Sequence, residues 1–346
     1  MIPGSLRDST AKAGTKKKRK TARLKIPERS LDTMSYFFGV DVGGTTVKMG
    51  FFEKEGTLID KWEIPSSKDL GGEASLRVIA DAIRERLRKE GATLQDMRGV
   101  GIDIPGPVLP DGSTPRLTNL DWGEALNIRE MLSSLLDGIH VEVANDGNAA
   151  ALGELWKGAG EGMNSLVMVT LGTGVGGGIV TDGRIIAGVH GAGGEIGHIN
   201  VSEEETDICG CGLRGCLEQY AAAPGIVRIT KKRLKEMDAT SRLRGLPDLT
   251  AKDVLDCVKE GDPVAKDAFR VMCNMLGKAL ATVAVNADPD LFVIGGGVSK
   301  AGSILTESIR PYYEKYAFHA VRNTPIVLAR LGNDGGMYGA ARLVLS

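Results

Sequence analysis

The chain has 346 residues, 42% hydrophobic and 25% charged, which is ordinary globular material too long for one hydrophobic core, so two domains are expected. Its net charge of −1 divides unevenly: residues 1–33 hold ten Lys/Arg against three Asp/Glu, a net of +7, leaving −8 for the rest. An acidic body argues against a nucleic-acid surface, no apolar run reads as long enough to span a membrane, and no secretory segment follows the basic start, so a cytoplasmic protein is expected.

Residues 1–33 include Lys16-Lys17-Lys18-Arg19-Lys20 and almost no apolar pattern, so a disordered tail is expected. It reads first as a solvated leader, with Met34 as an alternative start; a nucleic-acid or membrane tether is the rival. Tyr36–Asp41 is an apolar run ending in an Asp, followed by Gly43-Gly44-Thr45-Thr46. A second run (Val47–Phe52), a turn at Glu53–Gly56 and a third run (Thr57–Ile64) complete three strands. Leu76, Ile79, Ala80, Ile83 and Leu87 share one helical face. Val100–Ile104 is a strand closed by Pro105-Gly106-Pro107, and Val141–Ala144 a strand followed by Asn145-Asp146-Gly147-Asn148 and an Ala-rich helix start.

Ser165–Leu171 begins the same plan again. A strand leads to a glycine turn (Gly172–Gly176), a strand (Gly177–Val180), a tight turn (Thr181-Asp182-Gly183) and a strand (Arg184–Ala187). An internal duplication is therefore expected. A helix spans Val264–Val285, a strand Leu291–Ile294 runs into Gly295-Gly296-Gly297, and Asn333-Asp334-Gly335-Gly336 opens a last small-residue helix. The expected domains are 34–147, to which the helix in 333–346 returns, and 148–332.

Gly172-Thr173-Gly174-Val175-Gly176-Gly177 matches G-x-G-x-x-G, but a strand follows it where a dinucleotide fingerprint needs a helix. No G-x-x-x-x-G-K-[ST] occurs either. What remains is a glycine turn whose bare N–H groups can approach phosphate. Asp41 with Gly43, Gly44 and Thr45 is its counterpart, and two such turns across a cleft would clamp a nucleoside triphosphate. Cys209, Cys211 and Cys216 lie within eight residues, downstream of Glu195-Ile196-Gly197-His198. Three thiolates and one imidazole would close a tetrahedral structural zinc site. Cys257 and Cys273 fall in helical patterns and read as core. Asp146 can serve as a general base toward a hydroxyl attacking phosphorus, or as a helix N-cap. Asn119, in Leu117-Thr118-Asn119-Leu120-Asp121-Trp122, can bind a sugar hydroxyl or cap its own loop.

Taken in order, Asp41-Val42-Gly43-Gly44-Thr45, Asn145-Asp146-Gly147-Asn148, Leu171-Gly172-Thr173-Gly174-Val175-Gly176, Glu195-x-x-His198 and Cys209-x-Cys211-Gly212-x-x-Gly215-Cys216-x-Glu218 resemble the ROK family (repressors, open reading frames, sugar kinases). The resemblance runs from Tyr36 to the C-terminus. Val293–Ser299 and Leu331–Asp334 are similar to its bacterial glucokinase branch. It implies an α/β actin-like ATPase fold of two similar domains that close over ATP, magnesium and a hexose. It implies Asp41 near the magnesium-bound phosphates, Gly43–Thr45 and Gly172–Gly174 as phosphate loops, and Gly295–Gly297 beside the adenosine. Asn119, Asn145, Glu195, His198 and Glu218 would bind the sugar, and Asp146 would be the base. His198 would join Cys209, Cys211 and Cys216 on zinc, in a homodimer or homotetramer. Gly335 stands where the family commonly has Ala, and Asp121 where it frequently has Gly.

The activity so implied is an ATP-dependent glucose 6-kinase. An N-acetylmannosamine, N-acetylglucosamine or fructose kinase is the rival within the family, with polyphosphate a lesser rival to ATP as donor. A sugar-responsive transcriptional regulator is the rival of another class, but 33 polar residues cannot bury a helix-turn-helix core.

Overall fold

The structure is a computed structural model and describes residues 35–66, 71–115, 117, 120–123 and 125–345. The basic tail and Asn119 lie outside the described residues.

The first half runs β1 (Tyr36–Val42), β2 (Thr46–Glu53), β3 (Leu58–Pro65), α1 (Gly71–Glu90), β4 (Met97–Ile104), a small β5 (Ser113–Thr114) and β6 (Leu126–Asn127) ladder, α2 (Ile128–Leu135), β7 (Val141–Asn145) and α3 (Asp146–Lys157). The second runs β8 (Leu166–Leu171), β9 (Val175–Thr181), β10 (Arg184–Ile185), α4 (Glu218–Ala221), α5 (Ala223–Glu236), α6 (Ala251–Glu260), α7 (Pro263–Ala287), β11 (Leu291–Gly295), α8 (Ser303–Tyr316), β12 (Ile326–Leu328) and α9 (Gly335–Leu343).

The sheet orders are β3-β2-β1-β4-β7 and β10-β9-β8-β11-β12. Each sheet has three antiparallel strands, then two strands parallel to the first. The two sheets thus repeat one topology, the duplication that the paired glycine turns announced. Two limits differ from the sequence reading. β9 starts at Val175, inside the expected turn, because Val175 and Gly176 already pair with Leu171 and Thr170. β10 ends at Ile185, short of Ala187: Ile186 still donates to the Ile179 carbonyl, but Gly188, at φ 74°, turns the chain away.

The cores follow from the same patterns. Leu76, Ile79, Ala80, Ile83 and Leu87 of α1 are buried against the first sheet, with Glu73 in its first turn and Arg88 and Lys89 in its last, each favoured by the helix dipole. The second core gathers around α7, whose Asp262 cap accepts from the Val264 and Ala265 N–H groups and whose Pro263 needs no partner. Cys257 and Cys273 are fully buried there. Against the sequence reading, α7 is long and apolar enough to cross a membrane by length and composition. Its apolar side chains are instead mostly buried inside the protein, as befits a core helix.

Helices α3 and α9 pack together between the sheets, α3 on β8 and β9, α9 on β1 and β4. Their approach requires glycine. A Cβ at Gly339 would lie 1.6 Å from the Ala149 carbonyl oxygen, and one at Gly101 would lie 1.7 Å from that of Ala340. Backbone therefore rests on backbone where the two halves meet.

Candidate active site

β7 ends and α3 begins at Asn145-Asp146, in the cleft between the sheets. Asn145 caps the helix, its Oδ1 accepting from the Asn148 N–H at 3.1 Å. Its Nδ2 donates to the Gly106 carbonyl at 3.1 Å and to Asp146 Oδ1 at 2.9 Å. The cap role open to Asp146 in the sequence is therefore filled by its neighbour. Asp146 accepts from the Gly147 N–H at 2.8 Å and is otherwise exposed to the cleft. The surrounding protein removes bulk water and pushes its carboxyl above the ordinary aspartate value. The Gly147 N–H opposes that shift, while Asp41 and Glu195 add to it. Asp146 thus feels carboxylates on both sides, one from each half of the fold.

Asp41 sits on β1, directly before the first glycine turn. Lys48 Nζ donates to its Oδ2 at 2.9 Å and to the Asn333 carbonyl at 2.7 Å. The turn is closed by Gly43 N–H on the Thr46 carbonyl at 2.9 Å, and Ser66 N–H holds the Thr45 carbonyl at 2.9 Å; Gly44 lies at the bend. The second turn is closed by Gly172 N–H on the Gly174 carbonyl at 2.9 Å and anchored by Ala223 N–H on the Gly172 carbonyl at 2.8 Å. Gly172 and Thr173 line a cavity of about 560 Å³ with Gly297, Val298, Lys300 and Ala301. Leu255 and Lys259 of α6 form its far wall. Gly296, at φ +81°, lets β11 lean on the end of β8, where a Cβ would meet the Leu171 carbonyl at 2.4 Å. A larger cavity of about 900 Å³ opens beside Thr173 along the Arg228, Lys231 and Lys235 face of α5. It is the roomier of the two, but the smaller one joins the second glycine turn to Gly297.

Glu195 precedes a single helical turn, Ile196–His198, that packs against β9. His198, Cys209, Cys211 and Cys216 offer four ligand atoms that all lie within 4.8 Å of one another. Cys209 Sγ is 3.9 Å from His198 Nδ1, and Cys211 Sγ is 3.7 Å from Cys216 Sγ. Tetrahedral ligands on bonds of ~2.3 Å sit ~3.8 Å apart, so the donor set fits a zinc ion. Burial and the adjacent thiols push the Cys216 thiol up to about 12, and a cation among the four is what would hold thiolates at neutral pH. Glu218 faces this loop and the second turn together. Its Oε2 accepts from the Val175 N–H at 3.0 Å, and its Oε1 lies 3.8 Å from Cys209 Sγ.

With that geometry in place the comparisons are decisive. The ROK family matches residues 37–346. This chain belongs to the ROK family. It is 41% identical over 314 residues to the glucokinase of Halalkalibacterium halodurans, covering 89% of this chain and 94% of that one. The ROK hexokinase of Thermus thermophilus superposes with a TM-score of 0.75 at 32% identity, over 88% of this chain and 96% of its own. A ROK family glucokinase from Streptomyces griseus, solved with glucose and AMPPNP, superposes with a TM-score of 0.68 at 33% identity, over 89% and 98%. The fold is the actin-like ATPase fold of the ROK sugar kinases.

The structure adds residues the sequence reading lacked. Lys48 reaches Asp41 from the next strand, a contact that the β1–β2 hairpin register implies. Leu255, Lys259 and Lys300 line the nucleotide-sized cavity from elements distant in sequence. Asp103 lies beside Asp41 because β1 and β4 pair in parallel, and no spacing rule joins them.

Proposed function

We propose that this ROK protein transfers the γ-phosphoryl group of ATP to the 6-hydroxyl of glucose. The observation that carries the reading is the seat of Asp146: relieved of helix capping by Asn145, open to the cleft, and flanked by Asp41 toward the phosphate turn and Glu195 toward the zinc loop. Its raised carboxyl can accept the proton of a hydroxyl as that oxygen attacks phosphorus. The glucokinase names of relatives at 33–41% identity support the substrate pair.

In this reading Gly43, Gly44 and Thr45 meet Gly172, Thr173 and Gly174 across the triphosphate, and Gly295–Gly297 border the adenosine. Asn119, Asn145, Glu195, His198 and Glu218 take the sugar hydroxyls. Magnesium bound with ATP would neutralise phosphate charge, with Asp41 facing it. Zinc on His198, Cys209, Cys211 and Cys216 would do no chemistry and would keep the Glu195–Glu218 segment in shape. Residues 34–147 with 333–346 and residues 148–332 form the two domains that close on the substrates and exclude water. We place the enzyme in the cytoplasm as a homodimer or homotetramer.

The test is ADP release with magnesium and ATP across glucose, mannose, fructose, N-acetylglucosamine and N-acetylmannosamine. A clear preference for glucose supports the proposal. Preference for an acetylated sugar overturns the substrate and keeps the base. Sugar binding without turnover on any of the five overturns the kinase.

A further inference from the structure

Asp103 is a charged residue beside Asp41 with no role so far. It is fully buried at the end of β4, and neither carboxyl oxygen has a hydrogen-bond partner. The β1–β4 register sets it directly beside Asp41. A Cβ at Gly336, in the first turn of α9, would lie 3.0 Å from both Asp103 Oδ2 and the Asp41 carboxyl carbon. The two carboxyl groups thus lie together under the first turn of α9.

Charge decides what joins them. Two ionised carboxylates in contact, one fully buried, are not tolerated without compensation. From β2 comes one ammonium, Lys48, already on Asp41 Oδ2. From α3 comes a further negative charge, Asp146, and from α9 only the partial positive charge of its N-terminus. A metal dication between the pair would be repelled by Lys48. One proton balances the set.

We propose that Asp103 is a neutral carboxylic acid that donates a hydrogen bond to Asp41 and so aims the Asp41 carboxylate at the nucleotide phosphates. It is a positioning residue, acting only through Asp41. Lys48, on Asp41 Oδ2, and Asp103 then hold the one Asp41 carboxylate between them, which limits its rotation. Burial, with Asp41 and Asp146 nearby, holds the Asp103 carboxyl well above the ordinary aspartate value, in line with this state. The activity arm of the test rests on the kinase reading above, and the spectroscopic arm does not.

The experiment compares the full-length parent with Asp103→Asn and Asp103→Leu. Asn keeps a neutral donor and Leu keeps the volume without one. At neutral pH the infrared band of a protonated carboxyl should be present in the parent and absent from Asp103→Asn. Nucleotide KM should stay within about threefold in Asp103→Asn and rise about tenfold or more in Asp103→Leu, the value of a lost charge-assisted hydrogen bond. Glucose KM should not move in either variant. An identical infrared spectrum in parent and Asp103→Asn would show an ionised Asp103 and overturn the proposal, even if Asp103→Leu failed to fold or the protein had no kinase activity. An unchanged nucleotide KM in a folded Asp103→Leu protein would overturn the positioning role.

Discussion

Glu154 offers the clearest measure of what ties α3 to the segment that leads into α9. It lies near the end of α3 and is fully buried. Its Oε2 accepts from the Ala159 N–H at 2.8 Å and the Arg330 N–H at 3.1 Å, and its Oε1 accepts from the Leu331 N–H at 2.8 Å. One carboxylate therefore satisfies three backbone donors, two of them in the segment that leads into α9. Glu154→Ala would strand all three. A buried donor left unpaired costs about 1–3 kcal/mol, so the sum is about 3–6 kcal/mol after partial relaxation, a large share of an ordinary domain's stability. Glu154→Gln keeps one acceptor oxygen and turns an amide N–H toward a backbone N–H, so about half of that loss is expected. Urea unfolding of the parent and both variants, followed by circular dichroism, gives the numbers directly. The reasoning fails if both variants unfold within about 0.5 kcal/mol of the parent, because no buried triple acceptor can be so cheaply replaced.

Asp146→Asn should lower kcat by about 10²–10⁴-fold while leaving glucose affinity within about threefold, as expected for loss of a general base. Since the Asp146 carboxyl is raised and must be ionised to act, parental kcat should fall on acidification at a pH above the ordinary aspartate value; a flat profile through the mildly acid range refutes it. Stripping the Cys/His site with a strong chelator should lower Tm and activity together, and full activity in zinc-free protein by elemental analysis would remove the claim. Although burial raises it, Glu205 is held from the ordinary 4.5 down at about 2 by hydrogen bonds from Arg228 and the Asp207 N–H. A depressed carboxyl stabilises above its unfolded value and loses that contribution as pH falls through its folded one. Glu205→Gln should therefore cost about 1–2 kcal/mol at neutral pH, allowing for the part-exposed Arg228, with the difference shrinking below pH 4.5; a difference independent of pH is the contrary result.

What the sequence disclosed was what lies close along the chain. The four candidate metal ligands, His198, Cys209, Cys211 and Cys216, span 19 positions, and three of them share one glycine-rich loop, so spacing alone picked out the cluster. The paired glycine turns disclosed the duplication, because each is a local turn between local strands. The α6 helix was legible only as the helical pattern around Cys257, although Thr250 and Asp253 form the capping box that marks its start. The partners of Glu154 are up to 177 residues away, and Asp103 meets Asp41 only through strand register. Such contacts are set by topology, and the residues that make them look like any other acidic residue in an apolar run.

The same topology constrains how the cleft can close. α3 starts at Asp146 and ends at the Glu154 staple; α9 starts under Asp41 and Asp103 at Gly336. Each helix thus carries site chemistry at its N-terminus and contact between the halves along its length. Along that contact Gly153 and Gly339 bring backbone to backbone, while Trp156 and Tyr338 meet edge to face with ring centroids 6.2 Å apart. Sliding of α3 along α9 meets resistance where Gly339 rests on the Ala149 carbonyl, so this contact favours rotation over shear. On the kinase reading proposed above, closure would turn the two sheets about this contact and bring the sugar and phosphates to Asp146.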